Sequence, residues 1–367
     1  MLPTITTEQL LELRASQPDL VVLDVRTPEE VADWSLDGVV NLPVEELAGR
    51  LDEVPRDRPL VVLCLRGRRS QQAGEILEAA GIEATLVEGG MSAWGRTLAV
   101  GALEVGDATV VQLRRVGKGC LGYLIGTGTS CVVIDPSGDF ERLEREVDSR
   151  GWSVTAVIDT HLHADHISLA AELAARHGAR LILADHGYEG SPSSASAPLG
   201  VGEHLALSPT VVLEPLATPG HTTGSMSYLL NGAVLFSGDT LFVDSVGRPD
   251  LADRSEEFAG HLFDTLHETL GVLPDEVLVL PSHTEANLEV PPGAMVGSTL
   301  GALRQGLTVL GLDREAFIAW AASQATNWPP NYRSIVAANR GLVVLEPAEA
   351  SELELGPNRC AVATAPN

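Results

Sequence analysis

The segment at 160–166, with the sequence THLHADH, limits more than any other what this chain can fold into. It places three imidazoles and one carboxylate directly after the apolar run at 154–158, in a chain with only 10 histidines among 367 residues. In an extended segment His161 and His163 project to the same side, and the donors that follow can turn toward an adjacent position. Imidazole and carboxylate are side chains that hold zinc or iron. The alternative is a polar loop without a ligand, but the density of donors favours a metal site at the end of a buried strand.

The length of the chain predicts more than one domain. At 367 residues, two or more compact units are expected, each with its own core. The 24 basic and 50 acidic residues give a formal net charge of −26 at pH 7. Such a charge argues against nucleic acid and anionic membranes as partners. We therefore expect neither nucleic acid nor a membrane as a partner, and a homo-oligomer is compatible with the sequence.

Cysteine usage and the first residues bear on the compartment. The chain has 4 cysteines and no CxxC pair, which is too few for a disulfide scaffold. The N-terminus lacks the basic and apolar regions of a signal peptide, and no apolar run approaches the ~20 residues of a membrane span. These observations predict a cytoplasmic protein. Cys120 and Cys131 lie on strand patterns and are expected to pack in the core, and Cys360 is expected to be incidental.

Strand and helix patterns alternate through the first hundred residues. Apolar runs at 20–23, 60–63 and 84–87 predict buried strands, and Thr6 with Gln9 predicts a capped helix before the first of them. Such alternation is typical of a small α/β unit with a mainly parallel sheet. Ligands of such sheets gather at the carboxyl ends of the strands.

Cys64 stands at one of these strand ends and opens the loop CLRGRRS at 64–70. Backbone N–H groups of the loop, the N-terminus of the next helix and three arginines would stabilise a negatively charged sulfur there. A cysteine that merely packs is the alternative. The arginine-rich loop favours a sulfur nucleophile.

The first hundred residues resemble a single rhodanese domain. The resemblance rests on LDVR at 23–26, PEE at 28–30, the Cys-x-x-Gly-x-Arg loop with its Ser at 64–70, and EGGMSAW at 88–94. It implies that Cys64 carries a persulfide, and that Arg69 and the loop amides stabilise the bound sulfur and its donor. The segment at 33–39 departs from the family pattern, which bears on partner contacts more than on chemistry.

From residue 109 the chain reads as short strands and helices that fit two sheets flanked by helices. Three turns add single donors to the THLHADH segment: His221 in TPGHT, Asp239 in SGDT and His283 in PSH. Each turn adjoins a strand pattern, and a rigid sheet can hold a side chain to the tolerance that a metal requires. One histidine in a turn is usually only solvated, but together with the opening segment these donors predict a metal centre.

This ensemble resembles the metallo-β-lactamase superfamily, an αββα sandwich, over about residues 104–345. The resemblance implies one metal position held by His161, His163 and His221, a second held by Asp165, His166 and His283, and Asp239 as a bridge. The superfamily includes hydrolases with two metals and persulfide dioxygenases with one Fe(II). The iron ligands of that branch correspond to His161, His221 and Asp239. The other four donors would then surround the iron without binding it, and because all seven are present the ligand set does not choose between the branches.

Arg248 favours the dioxygenase branch. The sequence GRPD at 247–250 resembles the Gly-Arg-x-Asp element of persulfide dioxygenases, in which the arginine lies beside the substrate. A cation there suits a glutathione carboxylate or a developing sulfur oxyanion. The arginine could instead pair with Asp250 and stiffen the loop. The residues after His283 match neither the dioxygenases nor glyoxalase II, so this segment does not identify the substrate.

The sequence therefore predicts an α/β rhodanese-like domain at 1–100, with a parallel sheet and flanking helices. An αββα metallo-β-lactamase-fold domain at 101–345 and a frayed tail at 346–367 follow. The leading hypothesis is oxidation of glutathione persulfide, or a similar low-molecular-weight persulfide, by O2 to sulfite at one Fe(II), with sulfurtransferase activity towards thiosulfate at Cys64. The alternatives are a thioester hydrolase of the glyoxalase II type with two zinc ions or an iron–zinc pair, and a sulfur carrier or sensor.

Overall fold

The structure is a computed structural model that describes residues 2–184, 195–196, 199–200, 202–249, 254–323 and 331–356. Within these ranges it contains three β-sheets. No helix in the described part of the chain has both the length and the apolar character needed to cross a bilayer.

The first sheet is parallel throughout, with the strand order β1-β5-β4-β2-β3. Its strands are β1 (Thr4–Ile5), β2 (Val21–Asp24), β3 (Val40–Asn41), β4 (Leu60–Leu63) and β5 (Thr85–Val87). The helices of this unit are α1 (Thr7–Ser16), α2 (Pro28–Asp33), α3 (Val44–Leu47), α4 (Arg68–Ala79) and α5 (Gly90–Trp94). Thr6 and Gln9 cap α1 reciprocally, as predicted.

Helices cover both faces of this sheet because successive residues of a strand point to opposite sides. On β2, Leu23 packs in one buried cluster with Leu77 of α4. Its neighbour Val22 packs in another cluster with Leu10 of α1. The predicted α/β unit with a parallel sheet is confirmed.

Two further sheets form the second unit. The seven-stranded sheet, in the order β12-β11-β10-β9-β8-β7-β6, contains β6 (Leu98–Val105), β7 (Ala108–Arg115), β8 (Leu121–Thr127), β9 (Ser130–Ile134), β10 (Ser153–Asp159), β11 (Arg180–Leu183) and β12 (Ala195–Ser196). The six-stranded sheet, in the order β13 to β18, contains β13 (Leu205–Ser208), β14 (Val211–Ala217), β15 (Met226–Leu230), β16 (Val234–Gly238), β17 (Leu278–Pro281) and β18 (Ser298–Thr299). β6 was not predicted, since it is an edge strand whose residues are mostly half-exposed and carry no clear alternation.

The second unit also contains helices between and after these strands. They are α6 (Phe140–Ser149), α7 (Ala170–His177), α8 (Ser255–Asp264), α9 (Leu300–Gly306), α10 (Arg314–Ser323), α11 (Tyr332–Asn339) and α12 (Pro347–Leu353). Ile158 and Phe236, from different sheets, share one buried cluster. Val133 packs with Leu143 of α6 on the outside of the larger sheet, and Val279 packs with Leu262 of α8 on the outside of the smaller one. The predicted αββα sandwich is confirmed.

The two units meet at a seam that contains part of the divergent segment at 33–39. Trp34 is buried, and its indole Nε1 donates to the carbonyl of Gly117 at 2.7 Å. The amide of Asn287 donates to the Ser35 carbonyl at 2.6 Å and accepts from Trp94 Nε1 at 3.0 Å. This departure from the family pattern therefore supplies contacts between the units.

The C-terminal part of the chain differs from the prediction of a frayed tail. α12 begins just after Glu346, and the side chain of Glu354 beyond it is only 11% exposed. The frayed tail is therefore wrong for residues 347–356, whereas 357–367 lie outside the described residues. The composition rich in Pro and Ala concealed a helix that is held by contacts with distant residues.

Candidate metal centre and sulfur-binding loop

The Cys64 sulfur lies where β4 ends and the chain turns into α4. Gly67 makes this turn with a φ of 91°, which residues with a side chain rarely adopt. Sγ of Cys64 accepts hydrogen bonds from the N–H groups of Gly67 at 3.1 Å and Ser70 at 3.3 Å. A cavity of about 370 Å³ is lined by Cys64, Leu65, Arg66, Arg68, Arg69 and Gln72. The loop thus presents N–H donors and arginine charge to an anionic sulfur.

Arg69 lines the cavity, but its guanidinium is engaged with another side chain. It donates two parallel hydrogen bonds to Glu30, at 2.6 and 2.7 Å. These bonds lower the pKa of Glu30 to about 2. Since Glu30 belongs to the PEE segment at 28–30, this ion pair connects that segment with the Cys64 loop at 64–70. The role of Arg69 in holding the sulfur donor stays a prediction.

The predicted metal donors lie at the carboxyl ends of strands from both sheets of the second unit. The THLHADH segment follows β10, His221 follows β14, Asp239 follows β16 and His283 follows β17. All seven donors are buried: His161, His163, Asp165, His166, His221, Asp239 and His283. The fold therefore brings the complete predicted set to one end of the sandwich, where the sheets hold it.

His161, His221 and Asp239 form one group whose ligand atoms lie within 4.8 Å of one another. Nε2 of His161 and Nε2 of His221 lie 3.6 and 3.5 Å from Oδ2 of Asp239. The other ring nitrogen of each histidine is engaged, with the Thr160 hydroxyl at 2.9 Å and the Arg248 carbonyl at 3.0 Å. His161 Nε2 and Asp239 Oδ2 are buried without a hydrogen-bond partner. Buried polar atoms left in this way fit a metal ion between them.

His163 is oriented by a carboxylate that the sequence analysis did not single out. Its Nε2 lies 3.1 Å from Oδ1 of Asp135, and its Nδ1 is buried without a partner. Asp135 also accepts from the N–H of Thr160 at 2.7 Å and from the Ser282 hydroxyl. Burial alone would raise the pKa of Asp135, but the adjacent His163 lowers it to about 2. Asp135 therefore fixes the start of the THLHADH segment and leaves Nδ1 of His163 able to bind a metal.

A second group contains Asp165, His166 and His283 together with Cys120. The ring nitrogens of His283 lie close to two carboxylates, with Nδ1 2.5 Å from Asp239 Oδ1 and Nε2 3.0 Å from Asp165 Oδ2. Although burial opposes it, these two carboxylates raise the pKa of His283 well above its usual value. Nε2 of His166 is buried without a partner, so this position also fits a metal.

Cys120 was expected to be a core residue, and the sequence analysis missed its place beside this group. An antiparallel bridge sets Cys120 opposite His283, and its Sγ lies 3.6 Å from Asp165 Oδ2. Burial and Asp165 raise the pKa of this thiol, but His166 and Arg115 outweigh them and lower it to about 6. Cys131, which lies on β9, is an apolar core residue whose pKa burial raises to about 12. No local pattern separates the two, because both lie in apolar runs.

Arg248 is buried next to the first group, and its carbonyl accepts from His221. The charge of its side chain contributes to a lowered pKa of His221, of which burial is the largest cause. The alternative partner named above, Asp250, lies outside the described residues. Contact between the Arg248 guanidinium and a substrate stays a prediction.

Comparisons with known proteins match both units. The model of the metallo-beta-lactamase superfamily matches residues 116–283, and the model of the rhodanese-like domain matches residues 6–97. The solved structure of ETHE1 from Myxococcus xanthus is 32% identical, with a TM-score of 0.53, and the match covers 63% of this chain and 97% of that one.

Curated relatives match the second unit. The probable metallo-hydrolase YqgX of Bacillus subtilis is 31% identical over 44% of this chain and 83% of its own length. A hydroxyacylglutathione hydrolase of a Polaromonas species is 36% identical over 44% of this chain, and the match spans 60% of the hydrolase. The mitochondrial persulfide dioxygenase ETHE1 of Mus musculus is 30% identical over 46% of this chain and 65% of the mouse protein. The chain therefore belongs to the metallo-beta-lactamase superfamily and carries a rhodanese-like domain ahead of the metallo-beta-lactamase fold.

Proposed function

We propose that this protein is a persulfide dioxygenase with a sulfurtransferase site at Cys64. The observation that carries the proposal is the joining, in one chain, of a two-histidine, one-carboxylate group at His161, His221 and Asp239 with a sulfur-binding loop. A site of this kind leaves coordination positions for O2 and a sulfur ligand. The persulfide dioxygenase among the relatives supports the assignment.

The proposed substrate is glutathione persulfide or a similar small persulfide. One persulfide, one O2 and one water give the thiol, sulfite and two protons; the outer sulfur is oxidised by four electrons, which O2 accepts. Fe(II) held by His161, His221 and Asp239 would supply the activation of O2. A reducing, cytoplasmic setting suits this chemistry, and Cys64, Cys120 and Cys131 form no disulfide.

The chain itself orients the donors and the substrate. The Thr160 hydroxyl and the Arg248 carbonyl hold the rings of His161 and His221 with Nε2 facing Asp239. Since these donors are buried, water has little access to the reacting sulfur. The Arg248 guanidinium would bind a glutathione carboxylate or the developing sulfur oxyanion.

At the other site, the thiolate of Cys64 would attack the outer sulfur of thiosulfate. The S–S bond of thiosulfate breaks, sulfite leaves with the bonding electrons, and a Cys64 persulfide remains. The N–H groups of Gly67 and Ser70 would stabilise its outer sulfur. A small thiol such as glutathione would then accept this sulfur, which makes a substrate for the metal centre on the same chain.

A two-metal thioester hydrolase is the second candidate. Two further buried atoms without partners, His163 Nδ1 and His166 Nε2, favour it because they complete the donors of a two-metal centre. The hydroxyacylglutathione hydrolase among the relatives also supports this candidate. In this case two zinc ions, or iron with zinc, would supply a hydroxide nucleophile.

Metal content and oxygen consumption of anaerobically purified protein separate the two candidates. The dioxygenase predicts about one iron per chain and O2 uptake with glutathione persulfide. Asp239→Asn should lose the bound iron and the O2 uptake. Asp244→Asn is the matched control, because Asp244 lies on the same loop outside the metal groups. Two metals per chain with cleavage of a glutathione thioester and no O2 uptake would refute the proposal.

A further inference from the structure

Asn339, at the end of α11, lies against the loop that carries the metal donors. Its side-chain Nδ2 donates to the carbonyl of His163 at 2.9 Å and to that of His166 at 2.8 Å. Its Oδ1 accepts from the N–H of Ser168 at 2.9 Å. One side-chain amide thus binds three backbone groups within six residues of the loop, although it is 176 positions from His163.

These contacts matter because a side chain, and not a neighbouring strand, satisfies the carbonyls of His163 and His166 and the N–H of Ser168. Buried backbone groups without partners are costly, so a side chain that satisfies three of them determines the path of the loop. The rings of His163 and His166 and the carboxylate of Asp165 all project from this path. Their positions therefore depend on Asn339.

Glu354 holds the same loop from a second point. Its Oε1 accepts from the N–H of Ile167 at 3.0 Å and pairs with the guanidinium of Arg115 at 2.9 Å. Arg115 is buried and also donates to the Gly95 carbonyl of the first unit at 2.9 Å. The segment from Asn331 to Gly356 is thus connected with both the metal loop and the rhodanese-like unit.

We infer that Asn339 is a positioning residue of the metal centre, and that Glu354 holds the same loop from a second point. Asn339 acts through His163 and His166, whose carbonyls it holds, and does not itself bind the metal. Loss of groups that orient metal ligands typically weakens metal binding by about 10–100-fold. The inference goes beyond the proposed reaction, since it applies to either candidate function.

The test is Co(II) binding by the full-length, metal-free chain, measured by competition with a chromogenic chelator. Asn339→Ala should weaken Co(II) binding by about 10–100-fold and change the visible spectrum of the bound ion. Asn339→Asp keeps the size of the side chain and the acceptor for Ser168, but sets a carboxylate oxygen against the His163 and His166 carbonyls. It should therefore weaken binding as well, whereas a residue that only fills space would tolerate aspartate.

Asn331→Ala is the matched control. Asn331 precedes the same helix and donates to the Leu353 carbonyl at 2.9 Å, and among the described residues its side chain makes no hydrogen bond to the metal loop. This variant should keep Co(II) affinity within about twofold of the unaltered chain. Hydrogen exchange provides a readout that needs no metal: the Ser168 amide should exchange faster in Asn339→Ala, which lacks its acceptor, than in the control.

Unaltered Co(II) affinity and spectrum in both Asn339 variants would overturn the inference. Equal weakening by Asn331→Ala would also overturn it, because general docking of the helix would then explain the effect. If Asn339→Ala does not fold, the Co(II) affinity and spectrum of the isosteric Asn339→Asp decide. The two proposals can fail separately. If the Asn339 variants lose Co(II) affinity but the unaltered chain does not oxidise persulfide, the proposed function is refuted and this inference stands.

Discussion

Gly90→Ala is expected to disrupt the Cys64 loop without altering any group that takes part in chemistry. Gly90 has a φ of +58°, and a Cβ built there would lie 2.1 Å from the Cys64 carbonyl oxygen. This contact is with backbone, which cannot turn aside as the end of a side chain can. The loop must therefore shift, and the hydrogen bonds that the Cys64 and Leu65 carbonyls accept from Met91 and Ser92, at 2.8 and 3.0 Å, are weakened.

The magnitude follows from two contributions. A left-handed backbone costs a residue with a Cβ about 1–2 kcal/mol. Forcing extra volume into a packed region adds about 1–3 kcal/mol. Gly81→Ala is the matched control, since Gly81 has a φ of +65° in the same unit but a Cβ there meets nothing within 4 Å. Gly81→Ala should show only the first contribution, so Gly90→Ala should be about 1–3 kcal/mol less stable than the control.

Urea unfolding followed by tryptophan fluorescence measures the difference in stability, because Trp34 and Trp94 lie at the edge of this unit. The rate of sulfur transfer from thiosulfate to cyanide reports whether the Cys64 loop keeps its conformation. This rate should fall markedly in Gly90→Ala and remain near normal in Gly81→Ala. Equal stability and equal sulfur transfer in the two variants would show that the loop does not depend on this close backbone contact.

Four other predictions concern the two sites. Cys64→Ser should abolish sulfur transfer from thiosulfate and leave O2 uptake with added glutathione persulfide intact; loss of both activities would contradict the independence of the sites. Removal of metal by a chelator should lower the unfolding temperature, because free metal at 100 times its Kd stabilises the folded chain by about 2.7 kcal/mol; an unchanged temperature would count against a structural contribution of the metal. Arg69 lowers the pKa of Glu30 from 4.5 to about 2, so the stability from this pair is complete above pH 4.5 and lost as the pH falls towards 2. Glu30→Gln should thus reduce the loss of unfolding free energy between neutral and acid pH by about 1 kcal/mol after solvent screening. A dependence on pH as steep as that of the unaltered chain would refute this. Glu352→Ala should change the KM for thiosulfate by no more than about fivefold, because the Arg66–Glu352 pair is exposed; a larger change would mean that α12 controls access to the loop.

The donors that the sequence predicted are those that stand at the ends of recognisable strands. THLHADH follows an apolar run, and His221, Asp239 and His283 each adjoin one, so local pattern was enough to place them at the edge of a sheet. Cys120, Asp135 and Asn339 carry no such local signal. Asp135 and Asn339 reach His163 from 28 and 176 positions away, and only the packing of the whole chain brings them together.

The sequence by itself determined the two-unit organisation, the class of each fold, the Cys64 loop and the seven candidate metal donors. These depend on periodicity and on motifs that span a few residues, where backbone geometry limits the possible structures. The tertiary structure alone decided which donors share a group, that Cys120 lies beside His283, and that the segment after residue 331 holds the metal loop. Such contacts depend on strand register and on side chains that satisfy distant backbone groups, and a local pattern does not encode either of them.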